Sequence, residues 1–324
     1  MPSEQPNIKT ENLKLRPDLL IETLNPEMGY FFKSGKVLYE GKTKFQDLEV
    51  HETPRFGKML RLDGVFQTSE KDEFLYHEPL AHVPGMSIDG PKTALVIGGG
   101  DGGAAEEILK YPTIEKVVMV ELDGGVVDAC KQYIPEICKN TFDHPKFELR
   151  IEDGIKYVKN APMKFDQVFI DLTDPFGPSI ELYTVEFYSA IRDLLTERGS
   201  IGLHIESPVT RPELFSKLYY TLKEVFSIVR PMTNYVPFYG TLWGYAFASN
   251  SIDPLKIDKS TIQSRIEKFS LPDLQFYNAD THFSLMSLPN WIQKLLAEKQ
   301  TPIHSGDSLP VPAGSIRNLV LSEY

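Results

Sequence analysis

Residues 94–107 read ALVIGGGDGGAAEE, and the fold of the chain turns on them. Ala94 to Ile97 is an apolar run of strand length, Gly98, Gly100 and Gly103 satisfy G-x-G-x-x-G, and small residues then open an amphipathic helix. Strand, glycine turn and helix in that order begin a Rossmann sheet, presenting backbone N–H groups to an adenosine-containing ligand. Glu121, which ends the next apolar run, stands where a ribose hydroxyl would be held. Asp101 is misplaced for a pyrophosphate, because two like charges about 4 Å apart repel by roughly 4 kcal/mol at an effective dielectric of 20. The same carboxylate attracts a sulfonium or an ammonium, so the turn points to a cationic adenosyl ligand.

Downstream the rhythm repeats: KVVMVELD then GGVVDACKQYI, FELRIEDG then IKYVKN, DQVFIDL then VEFYSAIRDLLTE, SIGLHIES then PELFSKLYYTLKEVF. Nearly continuous apolar runs, each followed by an amphipathic helix, predict an α/β fold with a doubly wound, mostly parallel sheet. SIVRPMTNYVPF and TLWGYAFAS, with no helix between them, predict an antiparallel pair at one sheet edge. Ligands of such sheets lie beyond the carboxyl ends of the strands, where Asp101, Glu121, Asp153, Asp171, Asp174 and Glu206 collect. Asp171 and Asp174, in IDLTDP at the end of the fourth strand, could hold an ammonium or take its proton. An alkylamine is protonated at neutral pH and needs such a base before its lone pair can attack. Tyr239 and Trp243 offer an aromatic rim to a polymethylene chain and its charged end.

Upstream, Lys36 to Ser69 reads as a small N-terminal β domain with an Asp63-Gly64 hairpin turn. The expected division is 1–87 for this β-rich region and 88–324 for the catalytic domain with a C-terminal extension. Ser69 and Asp72 are expected to form a capping box for a helix that Pro79 kinks or ends early, leaving Phe74 to His82 at the junction. HEPLAH imitates a zinc-protease motif, but His77 and His82 are five apart, about 140° around a helix, so no metal is expected there. The tail after Gln300 is rich in Pro, Gly and Ser and reads as a loop or extension.

At 324 residues with a formal net charge of -11, the chain can bury a large core and is unsuited to a nucleic-acid backbone. Two cysteines, Cys130 and Cys138, suggest buried thiols rather than a disulfide framework. MPSEQPNIKTENLK lacks the apolar core of a signal, and no run approaches bilayer length, so a cytoplasmic protein is expected.

The segments FQDLEV, RLDGVFQTSEKDEFLYHE, ALVIGGGDGG, VMVELD, IEDG, DLTDPFGP and LYTVEFY resemble, in order, those of the polyamine aminopropyltransferases, the spermidine synthase family. HIES, VPFY and FYNADTHFSLMSLPNWI are similar more weakly. The resemblance implies an N-terminal β domain joined to a methyltransferase-like Rossmann domain. It also implies transfer of the aminopropyl group of decarboxylated S-adenosylmethionine, a co-substrate and not a cofactor, to an amine such as putrescine. By motif, Gln46, Glu121, Asp153, Gly154 and Pro178 would hold the methylthioadenosine part. Gln67, His77, Asp101 and Asp174 would meet amine groups, Asp101 those of the donor, with Tyr76 and Tyr239 beside the nucleophile and Asp171 as proton acceptor. Members are commonly homodimers or homotetramers. Leu172, Pro79, His204 and the short FYGTLWGY loop depart from the family pattern, so agmatine, cadaverine or spermidine stay open as acceptors. A putrescine N-methyltransferase using intact S-adenosylmethionine, a catalytically dead polyamine sensor and, weakest of the three, a nicotinamide oxidoreductase are the rival readings.

Overall fold

The computed structural model describes residues 19–25, 28–175 and 177–309. The first two strands, β1 (Leu19–Asn25) and β2 (Met28–Lys33), form an antiparallel hairpin. A four-stranded antiparallel meander follows, built from β3 (Lys36–Lys42), β4 (Asp47–Thr53), β5 (Gly57–Leu62) and β6 (Val65–Ser69). Asp63 and Gly64 both have positive φ, 52° and 82°, as the two-residue β5–β6 turn requires.

Helix α1 (Phe74–Ser87) leads into β7 (Thr93–Gly98), α2 (Gly103–Leu109), β8 (Lys116–Glu121), α3 (Gly124–Tyr133), the short α4 (Pro135–Cys138) and β9 (Phe147–Ile151). Then come α5 (Gly154–Asn160), β10 (Phe165–Asp171), α6 (Val185–Leu194), β11 (Leu195–His204), α7 (Pro212–Val225), β12 (Ile228–Val236) and β13 (Thr241–Ser249). Helices α8 (Lys259–Phe269), α9 (Ala279–Ser284) and α10 (Asn290–Ala297) close the described chain. The large sheet has the order β12-β13-β11-β10-β7-β8-β9, parallel from β11 to β9, with β13 antiparallel to both neighbours. This is the doubly wound sheet and antiparallel edge pair that the apolar runs predict. Successive residues of β7 feed opposite faces: Ala94 and Val96 pack with Met119 and Phe169, Leu95 and Ile97 with Val118 and Ile170. Each of these side chains larger than alanine contributes about 1.5–3 kcal/mol by leaving water. Strand order reverses between β7 and β10, which opens a crevice at their carboxyl ends.

Two expectations about α1 are corrected. No capping box forms: Ser69 Oγ donates to Asp72 Oδ1 at 2.5 Å, and Asp72 Oδ2 accepts the Phe238 N–H at 2.9 Å, so this carboxylate ties the helix approach to the Pro237–Tyr239 turn. The helix also runs through Pro79 and on through Pro84 to Ser87. Pro79 frees the Leu75 carbonyl, which accepts from Asn234 Nδ2 and Tyr245 Oη; Pro84 frees the Leu80 carbonyl, which Gln167 Nε2 reaches at 3.5 Å while bonding the Ala81 carbonyl at 2.9 Å. Tertiary donors thus replace the missing helical ones. α1 packs on α2 and on β11, close enough that a Cβ on Gly202 would lie 2.6 Å from the Leu80 carbonyl. It therefore belongs by packing to the large sheet, although it falls within the expected 1–87 region.

Cys130 and Cys138 are buried free thiols. The tail is anchored at Ile303, fully buried, whose N–H reaches Thr221 Oγ1. Among the described residues no helix is long and apolar enough to cross a membrane.

Candidate active site

The carboxyl ends of β7, β8 and β10 open into a cleft of about 350 Å³, walled opposite by Gln46, Leu60 and Gln67 and by Tyr76 and His77 of α1. The glycine turn makes its floor. Gly98 has φ 82°, and a Cβ there would sit 2.0 Å from the Asp171 carbonyl, which instead accepts the Gly99 N–H. Gly103 opens α2 without a side chain because its Cβ would lie 2.3 Å from the His77 ring. These two positions bring Asp171 and His77 to the same turn as Asp101.

Asp101 divides its carboxylate, with Oδ1 accepting the Gly103 N–H at 2.9 Å and Oδ2 lying 3.8 Å from His77 Nε2. His77 Nδ1 bonds Glu73 Oε2 at 2.6 Å, and Nε2 is 3.9 Å from Asp171 Oδ2. Burial opposes charge on this ring, but Asp101 and Glu73 outweigh it and raise the imidazole to about 10. The cluster thus sets three acidic side chains, Glu73, Asp101 and Asp171, around one imidazolium. Asp171 is pushed up to about 6, by burial first and by Asp101 second, while Tyr76 Oη donates to its Oδ1 at 2.9 Å. Burial also holds the Tyr76 hydroxyl well above its ordinary range, so it stays a donor. His77, Asp101 and Asp171 offer ligand atoms within 4.8 Å of one another; His82 instead turns to Tyr111 and Glu107, as the five-residue spacing requires.

At the other end of the cleft, burial raises Glu121 to about 7, and its Oε1 accepts the Asp123 N–H. Asp123 Oδ2 in turn accepts from Gln46 Nε2 at 2.8 Å and Thr43 Oγ1 at 2.6 Å, drawing the small sheet over the cleft. Asp153 caps α5 through the Ile155 and Lys156 N–H groups, with Gly154 beside it in the wall. Pro178 falls in the helical turn Gly177–Tyr183, its side chain outside the described ones.

A second, smaller compartment of about 40 Å³ adjoins the first and shares Gln67, Tyr76, Leu172 and Tyr239 with it. Tyr239 Oη donates to the Gln67 carbonyl, and its ring meets Tyr76 edge-on at 6.0 Å and Trp243 at 4.8 Å. Asp174 lies here and is paired with Arg211, whose Nη1 is 2.8 Å from Asp174 Oδ2 and 3.1 Å from both Glu206 oxygens. Glu206 is thus fully buried behind Arg211 rather than in the acid ring, and burial raises it to about 8. His204 is buried and pushed below its ordinary range by desolvation; its Nε2 meets Tyr183 Oη and the Leu172 carbonyl, and its ring stacks on Trp243. Sequence reasoning missed Arg211, Glu22, Asp123 and Glu73. Only Glu73 carried a signal, standing four residues before His77 on one helix face.

A glycine turn at a topological switch point, with an acid–tyrosine–histidine cluster beside it and a second acidic chamber beyond, defines an enzyme of the Rossmann class. Residues 73–259 match the Spermine/spermidine synthase domain, and residues 20–70 match the Spermidine synthase tetramerisation domain. The polyamine aminopropyltransferase of Nitrosomonas europaea is 44% identical over 292 residues, covering 90% of each chain. That of Bacillus subtilis is 36% identical, covering 85% of this chain and 97% of its own. The crystal structure of spermidine synthase in complex with the transition state analogue AdoDATO superposes with a TM-score of 0.81 at 37% identity, over 88% of this chain and 97% of that one. Spermidine synthase from Thermotoga maritima gives 0.80 at 37%, over 86% and 94%. The chain belongs to the spermine/spermidine synthase family and is an aminopropyltransferase.

Proposed function

We propose that this aminopropyltransferase moves the aminopropyl group of decarboxylated S-adenosylmethionine to putrescine, releasing 5′-methylthioadenosine and spermidine. The observation that carries this reading is the Tyr76–Asp171 pair standing where an adenosyl-sized cleft meets a narrow, acid-ended chamber rimmed by Tyr239 and Trp243. Gln46, Glu121, Asp153, Gly154 and Pro178 hold the adenosine part, and Asp101 with His77 and Glu73 forms the anionic end for the donor's ammonium. Gln67 and Tyr239 line the acceptor's entry, and Asp174 lies at its far end. The acceptor nitrogen attacks the methylene beside sulfur. As the N–C bond forms, the C–S pair returns to sulfur and neutralises the sulfonium, and the attacking amine's proton passes to Asp171. Tyr76 holds Oδ1 of Asp171, leaving Oδ2 for that proton. Positioning and a field favouring cations supply the rate. The tetramerisation-domain match over 20–70 supports a homodimer or homotetramer.

Purified protein is offered decarboxylated or intact S-adenosylmethionine with putrescine, cadaverine, agmatine and spermidine in turn, and products are weighed by mass spectrometry. Methylthioadenosine with an amine heavier by one aminopropyl group is expected, with putrescine the best acceptor. S-adenosylhomocysteine with a methylated amine would overturn the reading.

A further inference from the structure

The smaller compartment ends on a cation already in place. Arg211 is the residue before Pro212 at the start of α7, and its Nη1 is shared between Asp174 and Glu206 while Nε donates to the Leu24 carbonyl at 3.3 Å. Asn25 Nδ2 bonds the Thr210 carbonyl, so the end of β1 is pinned to the same place. Half-buried Glu22, whose Oε2 accepts the Phe66 N–H, also lines the chamber. Glu22 and Asp174 thus border this end of the chamber with Glu206 buried behind them, and one side chain that is always charged sits among the three.

We infer that Arg211 sets acceptor length: its guanidinium occupies the ground that the third ammonium of a triamine would need, and so confines the chamber to diamines. This inference rests on the polyamine-acceptor reading above. A triamine adds an ammonium beyond the reach of a diamine. In this chamber that group would meet the guanidinium at short range in a desolvated wall, where like charges repel strongly. Without Arg211, Asp174 loses the cation that pairs it and the volume of a guanidinium opens between it and Glu22, which is a site for one more ammonium.

The alternative is that Arg211 merely staples β1 to α7. A staple would slow all acceptors alike when removed, whereas a length stop changes the ratio between them. The test uses the full chain with decarboxylated S-adenosylmethionine, following methylthioadenosine release with putrescine or spermidine. Wild type is expected to prefer putrescine. Arg211→Gln, and Arg211→Met as a second neutral variant that keeps the apolar stem, should raise the spermidine-to-putrescine ratio of kcat/KM by roughly tenfold or more, the scale on which pocket changes discriminate. Arg211→Lys, which keeps the charge, should hold the ratio near wild type. Binding of methylthioadenosine reports that the donor cleft is intact in each variant. An unchanged ratio in a neutral variant that binds methylthioadenosine, or a wild type that uses both amines equally well, overturns the inference. Absence of any aminopropylated product from wild type overturns the transfer reading and this inference together.

Discussion

At the scale of single residues, the acids of the site are distinguished by what already holds them. Asp101 is committed to the Gly103 N–H and the His77 imidazolium, and Asp174 to Arg211. Asp171 alone combines one tethered oxygen with an acidity near 6, close to the working pH of a general base. Asp171→Asn should lower turnover by about 10²–10⁴-fold, the usual worth of a positioned base, and leave methylthioadenosine binding nearly unchanged. Because the base must be ionised, kcat/KM of the wild type should fall as pH drops through about 6. The Tyr76 hydroxyl stabilises the ionised carboxylate, so in Tyr76→Phe this acid limb should move to higher pH. A pH–rate profile of both proteins checks this, and an unmoved limb in the tyrosine variant would separate Tyr76 from Asp171. Motifs in the sequence revealed Tyr76, Asp101 and Asp171 as candidates. They could not show that His77 is charged, since that depends on three carboxylates meeting one buried ring.

At the scale of elements, the site exists because α1 and α2 approach without a side chain between them at Gly103. Gly103→Ala puts a Cβ into the His77 ring, which is fixed by Glu73 and buried, so neither partner can yield easily. Overpacking of this kind costs about 1–3 kcal/mol. The variant should unfold at lower denaturant and bind donor more weakly, because the shift displaces His77 from Asp101; unchanged stability and binding would show that the helices have slack. The same region shows where sequence reading reaches its limit. The strands β7 to β11 were legible because both faces are buried, so their apolar runs are nearly continuous, and Asp63-Gly64 marked its own turn. The β1–β2 hairpin was not, because β2 is largely exposed and shows no apolar period. Helix α1 misled in the opposite direction: two prolines each cost about 3 kcal/mol by propensity, and only donors from Gln167, Asn234 and Tyr245, far along the chain, make the helix tenable. Arg211 was illegible for a related reason, since its partners Asp174 and Leu24 reach it through topology rather than spacing.

At the scale of the whole molecule, several buried acids of the cleft sit where their charge costs stability. Burial raises Glu22 and Glu206 to about 8, Glu121 to about 7 and Asp171 to about 6. Each of these groups holds its proton more tightly folded than unfolded. Their contribution is therefore greatest below the ordinary carboxylate range and is lost as pH rises towards 8. His77, raised to about 10, stabilises fully below its ordinary 6.5 and loses that contribution as pH climbs to 10. Glu107, held near 2 by His82 and Lys110, is ionised in both states above pH 6 and does not alter the trend there. The contribution of Asp171 is lost by about pH 6, but Glu22, Glu206, Glu121 and His77 go on acting in one direction above it, so the ligand-free protein should lose several degrees of Tm between pH 6 and pH 9 at constant ionic strength. A dicationic donor supplies the charge that the ionised cluster lacks, so decarboxylated S-adenosylmethionine should raise Tm more at pH 8.5 than at pH 6, whereas neutral methylthioadenosine should show little such dependence. Scanning calorimetry with and without each ligand measures both effects. A Tm that rises over this range, or a donor effect independent of pH, would mean that the acids of the cleft are compensated within the protein and that the anionic site is not what selects a cationic substrate.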